Sequence, residues 1–153
     1  MRMTHTVSRL CMAVALILPN AAFAQSAQSD QEVDARMDAL FGAHEPYHAF
    51  FDRLQRAVAA GDRNAVAGMV AYPIAVHRAG KDTTLRTRRD FVAYYPSIFT
   101  PKLVDIVARQ KYATLFVRDQ GAMIGDGEIW FSGVCRDQAC TQSDVRITAF
   151  NLD

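Results

Sequence analysis

Apolar residues recur at three- and four-residue steps through most of the first two thirds of the chain, which is the period of an amphipathic helix. The clearest segment starts at Pro46, which suits a first helical turn, and ends at Gly61, which suits a C-terminal cap. Thr87 and Asp90 have the spacing of a capping box, and we expect Pro96 to limit the helix that they start. The pattern also predicts short helices over 33–41, after Asp62, and from Thr100 to about Gln110.

The last forty residues change to a period of two, which is typical of strands. The strand over 122–135 is too long and too glycine-rich to be flat, so we expect it to bend at Gly125 or Gly127. Helices, a hairpin, helices and then a meander predict an α+β fold with mostly antiparallel strands. The predicted strands are 74–78, 83–86, 112–118, 122–135 and 145–151.

Residues 1–24 have the organisation of a secretory signal peptide. Two arginines flank its start, the apolar run from Leu10 to Leu18 follows, and an A-x-A cleavage motif ends at Ala24. Nine apolar residues are too few to span a bilayer, so we expect no membrane span. The sequence therefore predicts cleavage between Ala24 and Gln25 and a periplasmic or secreted protein.

Residues 25–32 are polar and glutamine-rich, which is typical of a flexible leader. The remaining residues, 33–153, are enough for one domain and too few for two. Removing the signal peptide takes Arg2 and Arg9 from 17 basic side chains, which leaves 15 against 16 acidic ones. This near balance gives no long-range field that favours nucleic acid or an anionic membrane.

Cys135 and Cys140 are the cysteines that follow the signal peptide, a suitable number for one disulfide in an oxidising compartment. Four residues separate them, between the ends of two predicted strands. Redox-active pairs use a C-x-x-C motif at a helix start, which differs in spacing and in setting. We therefore expect a structural disulfide that closes a hairpin loop and contributes about 2–3 kcal/mol.

Asp126 and Glu128 are two residues apart, which places both carboxylates on one face of the predicted strand, about 6–7 Å apart. Such a pair can act as acid and base or help to bind a hard cation. Alternatively, the pair lies on the solvated face and contacts arginines such as Arg118 or Arg146. Trp130 shares the predicted face, and an indole usually packs against a partner.

The candidate ligand-binding set consists of three residues. His77 lies in a short strand and faces either core or solvent, and we group it with Trp130 and Arg118.

His44 and His48 have the spacing of metal ligands, but a proline separates them and no third ligand is evident. The sequence has no H-E-x-x-H pattern and no dinucleotide or phosphate-loop fingerprint, so we expect no metal and no cofactor.

Basic residues concentrate around the short hairpin and the following helix. Arg88 and Arg89 stand in the first turn of that helix, where positive charge opposes the helix dipole. One interpretation is a site for an anion such as phosphate or a cell-envelope polymer, and the other is an ordinary solvated surface. The basic residues are Arg78, Lys81, Arg86, Arg88 and Arg89.

The segment from Leu54 to Val76 resembles the entry to a nuclear-transport-factor-two-like domain, of the cystatin-like superfamily. The resemblance rests on the step Ala60-Gly61-Asp62 and on the turn into Tyr72-Pro73-Ile74. The later capping-box helix and the terminal strands extend it over roughly 34–152. It implies N-terminal helices packed in a strongly curved, mostly antiparallel sheet, a cone often with an apolar pocket at its open end and often dimeric through the sheet.

That family contains isomerase-like and dehydratase-like enzymes as well as binding modules, and no catalytic motif of an enzyme branch matches here. We expect an exported domain that binds a small apolar ligand or an envelope protein without catalysis. The alternative is a small isomerase or dehydratase that uses Asp126 or Glu128 as general base. A third role, an accessory or inhibitor domain, predicts an exposed apolar sheet face.

Overall fold

The structure, a computed structural model, describes residues 29–152. The predicted signal peptide over 1–24, its cleavage point and the start of the predicted leader lie outside these residues. The end of the leader is helical, which corrects the prediction that the leader extends to residue 32. Ser29 accepts a hydrogen bond from the backbone of Glu32, and the Glu32 side chain accepts one from the Ser29 backbone. This capping box starts the first helix at Asp30, three residues before the predicted start.

Within residues 29–152, five α-helices form where the apolar pattern predicts them. Asp62 caps the third helix by accepting from the Ala65 backbone, and Thr87 and Asp90 form the predicted capping box. Pro96 does not end the fourth helix, which continues to Ile98. The helices are α1 (Asp30–Phe41), α2 (Glu45–Ala59), α3 (Arg63–Ala67), α4 (Arg88–Ile98) and α5 (Pro101–Arg109), followed by a 3₁₀ turn at Tyr112–Thr114.

In the described part of the chain, six strands form one mixed sheet in the order β2-β1-β6-β5-β4-β3. Every neighbouring pair is antiparallel except β1 and β6, which run parallel. The α+β prediction is confirmed, but the sheet is neither closed nor strongly curled, so the cone is not confirmed. The strands are β1 (Ile74–Arg78), β2 (Lys81–Leu85), β3 (Phe116–Arg118), β4 (Gly121–Ile124), β5 (Ile129–Cys135) and β6 (Ser143–Leu152).

The predicted long strand over 122–135 is wrong, because the chain reverses within it and forms the β4–β5 hairpin. Gly125 and Gly127 have φ angles of +68° and +113°, a region that side chains with a Cβ rarely adopt. The reversal pairs Ile124 with Ile129, and both side chains are fully buried. In a continuous strand these two residues would face opposite sides of the sheet.

The core lies between the helices and one face of the sheet. Phe50 of α2 stacks on Phe131 of β5 with ring centroids 5.1 Å apart, and Phe91 of α4 lies 5.8 Å from Phe150 of β6. All four rings are fully buried, and the other buried side chains among residues 29–152 are aliphatic or aromatic. Aromatic packing therefore joins α2 and α4 to the sheet.

The predicted cysteine pair lies at the far end of the β5–β6 hairpin. The sulfur atoms of Cys135 and Cys140 are at disulfide-bonding distance, and the Cα atoms are 4.8 Å apart. The pair encloses the loop that leads from β5 towards β6, as the sequence predicts. No helix within 29–152 combines the length and apolar character that a membrane crossing requires.

Replacement of Gly125 by alanine should destabilise the fold more than the same change at Gly80. Both residues have positive φ, which should cost each alanine about 1 kcal/mol. At Gly80 an added Cβ meets no atom within 4 Å, whereas at Gly125 it would clash with a Glu128 carboxylate oxygen and lie 2.8 Å from Ile106. We expect a total loss of about 3 kcal/mol for Gly125→Ala in urea unfolding. Equal losses for the two variants would contradict this account of the turn.

Candidate functional site

A cleft of about 160 Å³ opens where β1 and β6 end, between the start of α5 and the β4–β5 turn. Pockets for drug-sized ligands usually enclose about 300–1,000 Å³, so this cleft suits a ligand of few heavy atoms. The residues that line it come from β1, from the end of α4 and the start of α5, from the β4–β5 turn and from the end of β6. They are Arg78, Ile98, Thr100, Lys102, Leu103, Ile106, Glu128 and Leu152.

The cleft has an apolar floor and a charged rim. Ile98, Leu103 and Leu152 form the floor and are 1%, 3% and 7% exposed. Two cations, Arg78 and Lys102, and one carboxylate, Glu128, lie at the rim with the Thr100 hydroxyl. Positive side chains therefore outnumber negative ones at the cleft.

The start of α5 adds to this positive character. Thr100 is the N-cap residue, yet its side chain makes no capping hydrogen bond, and Pro101 has no N–H. The next backbone N–H groups, at Lys102 and Leu103, have no partner within the helix, and the helix dipole is positive at this end. A small anion at the cleft would face these donors together with the cationic side chains.

Glu128 is held against the hairpin turn. Its carboxylate accepts the backbone N–H of Asp126 at 2.6 Å, and its backbone carbonyl accepts from Asn151 at 3.0 Å. Gly125 donates its N–H to the Gln110 side chain at 2.8 Å, which ties the turn to the end of α5. The start of α5 thus lines the cleft, and the other end of α5 anchors the turn that carries Glu128.

The charges at the rim do not neutralise each other by contact. Arg78 donates a hydrogen bond to the Ser97 carbonyl. Among the described residues, no carboxylate oxygen lies within 4.0 Å of the Arg78 guanidinium or of the Lys102 ammonium. Both cations therefore remain available to an anionic group.

The structure brings only one residue of the predicted carboxylate pair into the cleft. Glu128 lines it, whereas Asp126 is exposed in the turn and contacts Glu128 through its backbone. The predicted arrangement of both carboxylates on one strand face does not form, because residues 125–128 are a turn. The predicted contacts of these carboxylates with Arg118 or Arg146 do not form either, since those arginines pair with Asp119 and Asp144.

The other predicted ligand-binding residues lie outside the cleft. His77 places its Nδ1 2.6 Å from Asp82 across the β1–β2 hairpin, and Arg118 is exposed on the edge strand β3. Trp130 pairs with Met123 across β4 and β5 and lines a separate groove on the sheet. That groove is formed by Gln120, Trp130, Thr148, Ala149 and Asn151.

Sequence reasoning missed the two rim cations as members of a site with Glu128. Arg78 is the last residue of a correctly predicted strand, and Lys102 follows the Thr100-Pro101 helix start. A cation just after a Thr-Pro helix start indicates an anion site, because the helix dipole is also positive at that end of the helix. Its proximity to Glu128, however, depends on tertiary contacts.

A second titratable cluster joins α1 to α2. His44 Nδ1 lies 2.8 Å from Asp38, its Nε2 lies 3.8 Å from Asp34, and Glu45 is 4.0 Å away. The pKa of His44 is raised above its ordinary value of 6.5, mainly by the hydrogen bond with Asp38. Tyr112 donates its hydroxyl to Asp34 at 2.7 Å, and burial raises its pKa. We assign this cluster a structural role, because its contacts connect α1, α2 and the 3₁₀ turn.

No protein-family model matches this chain, and neither does any curated protein or solved structure.

The His44 cluster should make stability depend on pH in a defined direction. Because the pKa of His44 is raised in the folded state, its stabilising contribution is present below about 6.5 and disappears as pH rises through the folded value. His44→Gln and Asp38→Asn should each lower the urea midpoint at about pH 5, with a smaller effect at about pH 9. If either variant lowered the urea midpoint equally at both pH values, protonation of His44 would not be the cause of the stabilisation.

Proposed function

We propose that this protein is an exported binding domain whose cleft takes a small ligand with an apolar body and one anionic group, without chemical turnover. The observation that carries the proposal is an apolar floor beneath two cations that have no carboxylate partner among the described residues. A purely apolar ligand, as the sequence predicts, would bury Arg78 and Lys102 without a counter-charge, which is unfavourable. An anionic group removes this penalty.

Short-chain monocarboxylates fit this chemistry best. A carboxylate can accept hydrogen bonds from a guanidinium in a bidentate manner and from an ammonium, and both donors are at the rim. A short alkyl tail would contact Ile98, Leu103 and Leu152 on the floor. Because the cleft is small and Glu128 is at its rim, a second carboxylate on the ligand would meet repulsion.

Export and family membership belong to the same proposal. The A-x-A motif at Ala24 and the cysteine pair at disulfide distance both support an oxidising compartment such as the periplasm. The α+β order, with helices before a terminal antiparallel hairpin series, supports the nuclear-transport-factor-two-like resemblance. The outer sheet face supports a partner or a homodimer, since Phe116 is 47% exposed there beside Met123.

The test is a thermal-shift series with propionate, butyrate and hexanoate, and with butanol as the uncharged comparison. A ligand present at about a hundred times its Kd should stabilise the fold by about 2.7 kcal/mol. We expect this shift for a carboxylate and no comparable shift for butanol. Lys102→Gln should lose most of it, whereas Lys111→Gln, an exposed lysine outside the cleft, should retain it.

Two outcomes would overturn the proposal. An equal shift with butanol would show that the anionic group contributes nothing. Equal losses in Lys102→Gln and Lys111→Gln would place binding outside the cleft.

Glu128 favours the small isomerase or dehydratase as second candidate, because a carboxylate at a cleft rim can remove a proton from a bound carbon acid. Glu128 would accept the proton from the carbon next to a carbonyl, and the enolate oxygen that forms would be stabilised by Arg78 or Lys102.

The two candidates differ in the effect of Glu128→Gln. For a binding domain, removal of this negative charge should tighten carboxylate binding several-fold, because repulsion at the rim is lost. For an enzyme, the protein should speed exchange of the C3 protons of 2-oxobutyrate in D₂O, measured by proton NMR, and the variant should lose this exchange. Asp126→Asn, a change at the exposed neighbour, is the matched control. Exchange that depends on Glu128 and not on Asp126 would replace the binding proposal.

A further inference from the structure

Arginines from three elements meet at a second groove, of about 320 Å³, on a different part of the surface. Arg53 comes from α2, Arg88 is the first residue of α4, and Arg146 comes from β6. Residues of α3 and of the segment that follows it, with one stretch of β6, complete the walls. We call this site the arginine groove; its lining residues are Arg53, Asn64, Ala65, Gly68, Met69, Arg88, Asp144, Val145 and Arg146.

Two of these guanidinium groups are positioned by backbone carbonyls. Arg88 donates to the Asn64 carbonyl at 2.7 Å, and Arg146 donates to the Gly68 carbonyl at 2.7 Å. A guanidinium has five N–H donors, so these contacts orient each group and leave other donors for a ligand. Because the groups are already oriented, little side-chain freedom is lost when an anion binds.

The groove retains a positive excess despite its one carboxylate. Asp144 lies 3.3 Å from Arg146. It also accepts a hydrogen bond of 2.5 Å from Arg136, which does not line the groove. Those hydrogen bonds, mainly the one from Arg136, lower the pKa of Asp144. Three arginines therefore face a carboxylate that already has a partner outside the groove.

No contact among the described residues explains the position of Arg53 in the groove. Within residues 29–152, its side chain makes no hydrogen bond and no ion pair, yet it stands with two other guanidinium groups that repel it. Arg88 also opposes the dipole at the start of α4. A bound anion would offset both the repulsion at Arg53 and the unfavourable dipole interaction at Arg88.

The positive surface continues beyond this groove. A neighbouring hollow shares Asn64 and Arg88 with it and adds Arg89 and Val92. Arg88 therefore stands between two places for an anionic group, one beside Arg53 and Arg146 and the other beside Arg89. A ligand with a single charge would use only one of them.

We infer that the arginine groove binds a soluble ligand that carries two or more linked phosphate groups. Guanidinium groups match phosphate oxygens in bidentate geometry, and several arginines in one place suit a multiply charged anion. The groove shares no lining residue with the cleft, so this second site is independent of the proposed carboxylate binding.

Isothermal titration of the purified protein with inorganic phosphate, pyrophosphate and linear polyphosphate tests the inference. Affinity should rise from phosphate to pyrophosphate and should fall as NaCl is added. Arg53→Gln should weaken pyrophosphate binding about tenfold, the effect of losing one charge-assisted hydrogen bond. Arg56→Gln is the matched control, because Arg56 is an exposed arginine of the same helix that does not line the groove.

Arg53→Gln removes no described contact, so a loss of binding would not arise from lost folding interactions. Equal weakening in Arg53→Gln and Arg56→Gln would overturn the inference, since only overall charge would then matter. Weakening by Lys102→Gln as large as that by Arg53→Gln would assign the phosphate to the cleft. Tighter binding of a single-stranded oligonucleotide than of polyphosphate of equal charge would replace the proposed ligand by a nucleic acid. No binding of any phosphate, by titration at two temperatures and by equilibrium dialysis, would reject the site.

Discussion

The reversal of the chain at Gly125–Glu128 determines how the sheet faces the helices. The β-strand period places alternate residues on opposite faces, so a straight strand through this region would bury either Ile124 or Ile129. The four-residue turn changes that phase and lets both isoleucines face the core. It requires glycine at 125, where the Glu128 carboxylate occupies the space of a Cβ, and it directs Glu128 to the rim of the cleft.

Features that depend on neighbouring residues could be predicted from the sequence. The Thr87–Asp90 capping box, the helix after Asp62 and the end of α1 at Phe41 each involve residues within one or two turns, and each forms as predicted. The disulfide-range cysteine pair is similarly local. The hairpin could not be distinguished from a bent strand, because two glycines in an apolar segment are compatible with both.

Features that depend on distant residues could not be predicted from the pattern. The parallel pairing of β1 with β6 joins segments more than sixty residues apart, and a period of two does not indicate which strand lies beside which. The cleft depends on that pairing, since Arg78 ends β1 and Leu152 lies beside it in β6. Glu128 was identified from a spacing argument that the structure does not support, and its place in the site is due to tertiary contacts instead.

The near-zero net charge of the chain conceals a separation of charge over its surface. Acidic residues gather where α1 meets α2, around His44, whereas arginines gather at the groove formed by α2, α4 and β6. A sum of charges therefore excludes a strong field at long range without excluding local anion sites.

The position of Glu128 has a structural explanation that does not require catalysis. Its carboxylate satisfies the Asp126 N–H in a turn whose other N–H, at Gly125, is satisfied by Gln110. A turn with positive φ angles needs such acceptors, because its backbone groups have no partner in the sheet ladder. The rim cations have no comparable contact with a described carboxylate. A cation with no carboxylate partner among residues 29–152, beside an apolar floor, is therefore the observation on which the proposed binding function rests, and Glu128 adds no comparable argument for proton transfer.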